Sequence, residues 1–267
     1  MLELLKYDFF QNAFITTLLI GISCGLVGTY IVAKRMVFIS GGITHASFGG
    51  LGFSYFIGLS PMTGATFFAI VSALGILWFS ENKKLREDSL IGIFWSAGMA
   101  IGILFIYLTP GYAPDLMSYL FGNILTVTGE QIALSGLLCL GIILFFVLFY
   151  RPLFYIAFDK EYCRTHHLPI QRIDIGISLI IALCVVFCMK LAGIILVISY
   201  LTIPQAIAGV FYKNFKQLLI ASAVISSLGS LIGLFISALL NLPSGATIVI
   251  CFLVFFIIAR IGKKLLR

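Results

Sequence analysis

The side chains able to do chemistry in this sequence are few, and His45 stands out among them. It lies in Ile39-Ser40-Gly41-Gly42-Ile43-Thr44-His45-Ala46-Ser47, inside a predominantly apolar run. An ionisable group in such a run is costly and normally faces a partner or a cavity. On a helix, Gly41, Thr44 and His45 share one face, a stripe of little bulk carrying one imidazole, with Ser40 next to it. Neutral imidazole suits zinc, iron and other borderline cations, whereas magnesium and calcium prefer oxygen ligands. The run reads either as a packing histidine bonded to a neighbouring carbonyl, or as a transient metal ligand on a permeation path lined by Ser40, Gly41 and Thr44.

A second polar cluster is Phe158-Asp159-Lys160-Glu161-Tyr162-Cys163-Arg164-Thr165-His166-His167-Leu168-Pro169. Asp159 can cap a helix opening at Lys160, Glu161 suits its positive first turn, and Pro169 stops it at about His167. The result is a two-turn helix, too short to be ordered without docking on something. Cys163, His166 and His167 carry metal-binding groups, but a solvated helix docked on a partner explains them more simply. The six cysteines include no CxxC pair and read as small apolar packing groups. No P-loop, nucleophile elbow or HExxH is present, and three histidines are too few for a histidine-rich metalloenzyme. No catalytic residue and no resident cofactor is expected. Asp115 and Glu130 lie near the expected outer surface, as an electrostatic entry for cations or as helix caps.

The elements that must position these residues are membrane spans. Of 267 residues, 61% are hydrophobic and only 10% charged, and the mean hydropathy is +1.15. Soluble domains carry about 25% charged residues, so this chain could not cover itself in water. A cytosolic enzyme, a nucleic-acid binder and a disordered chain are excluded together. Apolar runs of membrane length fall at about 12–33, 43–59, 61–80, 90–109, 131–150, 173–189, 191–209, 217–240 and 244–261. The second is short, and the sixth and seventh are nearly continuous around Lys190, so one of these is broken or re-entrant. The first run lacks the flanks of a signal peptide and is expected to remain as a span. The expected fold is all-α and polytopic, with eight or nine transmembrane helices in a single domain over 1–267.

The net charge of +7 is distributed by topology. With the N-terminus outside and the C-terminus in the cytoplasm, fifteen of the 17 basic residues fall inside, leaving Lys6 and Lys190. The opposite orientation violates the positive-inside rule. The outer turns are marked by Ser60-Pro61, Thr109-Pro110-Gly111 and Asn241-Leu242-Pro243, and Thr128 with Gln131 can form a capping box. Glycines spaced by four, Gly21 and Gly25, Gly98 and Gly102, Gly229 and Gly233, predict close helix packing. Helix breakage is expected around Pro204 and Gly209.

Several segments together resemble the membrane permeases of ATP-binding-cassette importers for zinc, manganese and iron. They are Gly25-Leu26-Val27-Gly28, Lys34-Arg35-Met36, His45-Ala46-Ser47, Arg86 to Ile93, Tyr119 to Leu125, Asp159 to Pro169, Ile203-Pro204-Gln205-Ala206 within 197–208, and Pro243-Ser244-Gly245-Ala246. Their order and spacing cover nearly the whole chain. The resemblance implies a type II-like permease in the cell (inner) membrane, a homodimer engaged by a cytoplasmic ATPase and served by an extracytoplasmic metal-binding protein. ATP is then bound by the ATPase partner, and the transported ion is a divalent metal, zinc ahead of manganese or iron. It further implies that 158–169 is a coupling helix, with Asp159, Glu161 and Arg164 serving ATPase contact, and that His45 is a metal point in the path. In the family an Asp four residues before the His joins it; here that position is Gly41. Either Asp115, a cysteine or His45 of the partner subunit completes the site, or the site is a weaker one. The rival readings are a permease for a metal chelate of siderophore or cobalamin type, and a stand-alone secondary transporter.

Overall fold

The computed structural model describes residues 6–81, 86–110, 122, 124–166 and 169–265. Among these the chain is all-α, with no strand. The helices are α1 (Asp8–Ala33), α2 (Phe38–Ile57), α3 (Pro61–Glu81), α4 (Glu87–Leu108), α5 (Gly129–Leu148), α6 (Tyr150–Phe158), α7 (Lys160–Thr165), α8 (Ile170–Ala192), α9 (Ile194–Tyr200), α10 (Ile203–Phe211), α11 (Phe215–Leu240) and α12 (Ser244–Leu265). A chain this apolar has little water to satisfy its peptide groups, so helices that bond internally are the only economical choice. Eight segments are long and apolar enough to cross a membrane, with α9 and α10 counted as one. The remaining long helix is α2. Its 20 residues reach about 30 Å, but five glycines, three serines and His45 lower its apolarity.

The core sits on α1 and α8. Cys24, Val27 and Tyr30 of α1 pack with Ile177, Ala182, Val185 and Met189 of α8, all buried. The outer faces of α4, α5 and α12 are apolar and exposed, as at Ile103, Leu137, Leu140, Val147, Ile257 and Ile258, which a hydrocarbon surrounding accepts and water would not. Each expected glycine pair lies at a helix contact. Gly21 and Gly25 face the backbone of Ser227 and Ala223 on α11; Gly98 and Gly102 face Ala46 and Phe48 on α2; Gly229 and Gly233 face Phe252 and Ile248 on α12. A Cβ at Gly25 or Gly98 would overlap the facing backbone, so the absent side chain sets the helix separation.

The seventh expected span is broken just before Pro204, as expected, and not at Gly209. Gly193, at φ +83°, ends α8, and a second interruption at Leu201–Thr202 separates α9 from α10. Pro204 lies in the first turn of α10, where its missing N–H costs nothing, and Gly209 is helical. Buried Gln205 repairs the break: its Nε2 donates to Tyr200 O at 3.2 Å and to Cys24 O of α1 at 3.0 Å. Gly28 leaves the space this amide occupies. Irregular backbone is tolerated at membrane depth when buried and bonded in this way.

Candidate functional site

Packing of α2 on α4 decides what His45 meets. Gly42 lies against Ile91, Gly49 against Gly98 and Gly52 against Gly102, so the two helices run side by side in the same direction. That register sets His45 beside Trp95 and Met99, one helical turn apart on α4. The imidazole stacks on the indole with centroids 4.1 Å apart and planes 12° from parallel. Its Nδ1 lies 3.4 Å from Met99 Sδ. His45 is half-buried, and no group of three His, Cys, Asp or Glu side chains gathers among the described residues.

The glycine at position 41 has a visible consequence. A Cβ there would sit 3.1 Å from Trp95 Cζ3 and 3.6 Å from Ile198 Cδ1. The indole of Trp95 thus covers the position where a longer side chain would stand. Ser40 and Thr44 are buried and bonded within α2: Ser40 Oγ donates to Val37 O at 2.9 Å and Thr44 Oγ1 to Ser40 O at 2.5 Å. Nδ1 and Sδ stand side by side, at hydrogen-bond distance. The pair offers one borderline and one soft donor and no carboxylate.

Asp115 lies outside the described residues. Glu130 is exposed in the first turn of α5, where Gln131 Oε1 accepts from Thr128 N at 3.2 Å. All six cysteines are free and buried; Cys24 and Cys184 Sγ, 3.7 Å apart, belong to the α1–α8 core.

The second polar cluster forms α7. Asp159 Oδ1 accepts from Tyr162 N at 3.0 Å, capping the helix as its sequence implies. Glu161 and Arg164 pair at 2.8 Å on the exposed side. The helix ends at Thr165, and His166 turns back so that its ring stacks on Tyr162 at 4.0 Å. His167 lies outside the described residues. Cys163 faces inward, and burial pushes its thiol up, which makes it a packing group rather than a thiolate ligand.

One functional candidate is absent from the sequence reading. Asp174, in the second turn of α8, is fully buried, with Oδ1 accepting from Lys34 Nζ and Oδ2 from Lys160 Nζ, each at 3.1 Å. A lone acid just inside an apolar run, at the end where lysines collect, was the available signal. Beside this triad a cavity of about 100 Å³ is lined by Tyr30, Lys34, Glu87, Lys160 and Ser178 among apolar neighbours.

The ABC 3 transport family matches residues 6–263. An uncharacterised membrane protein of Synechocystis is 43% identical over 99% of this chain and 94% of its own length. The manganese transport system membrane protein MntC of Halalkalibacterium halodurans is 33% identical over 93% of this chain and 85% of its own. Among solved structures, PsaBC from Streptococcus pneumoniae in complex with a Fab superposes with a TM-score of 0.84 at 30% identity, covering 96% of this chain and 92% of that one. The likeness runs along nearly the whole length of this chain and of its relatives, and the chain belongs to the ABC 3 transport family as a membrane permease of a metal importer.

Proposed function

We propose that two copies of this chain form the gate of a zinc importer, worked by alternating access. A cytoplasmic ATPase binds and hydrolyses ATP, docks on α7 through Glu161 and Arg164, and drives the helices; Asp159 holds α7 in shape. An extracytoplasmic binding protein delivers the ion, which passes His45 along Ser40, Gly41 and Thr44. The N-terminus is outside and the C-terminus in the cytoplasm, a reading supported by the positive-inside rule, since it puts fifteen of the 17 basic residues on the cytoplasmic side.

The observation that carries the choice of metal is the pairing of His45 with Met99 in place of a carboxylate. Nitrogen and thioether donors suit zinc and ferrous iron, whereas manganese prefers oxygen. The manganese relative supports a divalent cargo, and the donor set moves the preference within that class. Two weak donors also suit transit, because a path must release its ion. The test is uptake into proteoliposomes containing the permease and its ATPase, with zinc, manganese and ferrous iron in competition. Zinc is expected to win, and His45→Ala to lower its uptake while leaving the ATPase bound. Preferred uptake of manganese by the unaltered complex would refute the zinc assignment.

A further inference from the structure

Among the described residues, Asp174 is the one acid in the fully buried set. Its two oxygens are shared between two elements with no other ionic link among the described residues: Lys34 caps the C-terminus of α1, and Lys160 opens α7. An exposed pair would yield readily. Here the carboxylate is wholly enclosed, so withdrawing either ammonium strips one buried oxygen of its partner and leaves the charge held from one side only. Stability alone does not call for such an arrangement, since apolar residues of similar volume usually pack at least as well.

The position of the triad does call for it. Lys34 is followed by Arg35, at φ +60°, in the turn that leads to α2 and thus to His45. The adjoining cavity, lined by Ala73 and Leu77 of α3 as well as Tyr30 and Ser178, leaves these helix ends room to shift. The geometry points to Asp174 as a positioning residue, the joint through which displacement of α7 reaches α1, α8 and the turn before α2. This inference rests on the reading of α7 as the ATPase-docking helix. The linkage is a contiguous set of contacts, α7 to Lys160 to Asp174 to Lys34 to α2, with an element at each end that is expected to move.

The test uses the complex of permease and co-purifying ATPase in proteoliposomes, with zinc and, in parallel, manganese as probes. ATP hydrolysed and metal moved are both measured for Lys160→Met, Lys34→Met, Asp174→Asn and the conservative Lys160→Arg. Lys160→Met is expected to keep the ATPase bound and hydrolysing, while metal moved per ATP falls about tenfold, the order of a typical coupling between sites. Lys34→Met should do the same from the other arm, and Lys160→Arg should restore most of the ratio. Lys160 is 36% exposed, so its variants remain informative where Asp174→Asn does not fold. Unchanged metal per ATP in both lysine-to-methionine variants would overturn the joint while leaving the importer reading intact. Loss of ATPase binding in Lys160→Met would also overturn it, because Lys160 would then be a docking contact. Uptake by the unaltered complex that ignores ATP would sink the importer reading itself, and the joint with it.

Discussion

At the scale of single residues, selectivity comes down to what stands next to one imidazole. His45 is oriented by Trp95 and approached by Met99, so the thioether can be removed without touching the histidine. Met99→Leu conserves volume and should cost less than about 1.5 kcal/mol of stability, yet raise the zinc concentration needed for half-maximal uptake. Gly41→Asp tests the opposite change. The added Cβ requires Trp95 to give by a few tenths of an ångström, which a half-buried indole can do, and the carboxylate then reaches the neighbourhood of His45. Competition uptake should shift toward manganese by about fivefold, roughly 1 kcal/mol of selectivity. Trp95 and Met99 are not legible in the sequence, because an aromatic and a thioether in an apolar helix carry no mark. Only the register of α2 on α4 gives them meaning.

At the scale of elements, the glycines divide into those that set a contact and those that do not. Gly98 and Gly92 both lie on α4, but a Cβ at Gly98 would overlap Ala46, whereas Gly92 has open space around it. Gly98→Ala should therefore destabilise the fold in detergent by about 1–3 kcal/mol, typical of overpacking, read as a lower melting temperature. Gly92→Ala should be neutral, or stabilise by up to about 1 kcal/mol as helix propensity improves. Most spans are legible in the sequence because an apolar run of membrane length has few other readings, and α7 is legible through Asp159 and Pro169. Asp174 is not, since its partners lie 140 and 14 residues away and no local spacing reports them. The interruption at Leu201–Thr202 is legible through Pro204, and the turn at Gly193 falls close to Lys190, where two apolar runs meet.

At the scale of the whole molecule, the chain is a bundle of helices with an enclosed ionic joint at its basic end. Reconstituted alone, it should not accumulate zinc in liposomes; accumulation should require the ATPase and ATP, measured as metal retained after external chelation. Glu161→Lys, on the exposed face of α7, should reduce the amount of ATPase recovered with the permease by reversing the charge offered to it, read by affinity co-purification. The burial of every native thiol makes such experiments simpler than they are for most transporters. A membrane-impermeant maleimide will leave the unaltered chain unlabelled, so one cysteine introduced beyond Lys264, or in place of Ser60, reports its own side of the bilayer against a silent background. Reagent added outside intact cells should mark the second and spare the first, and the reverse pattern would turn the whole topology over.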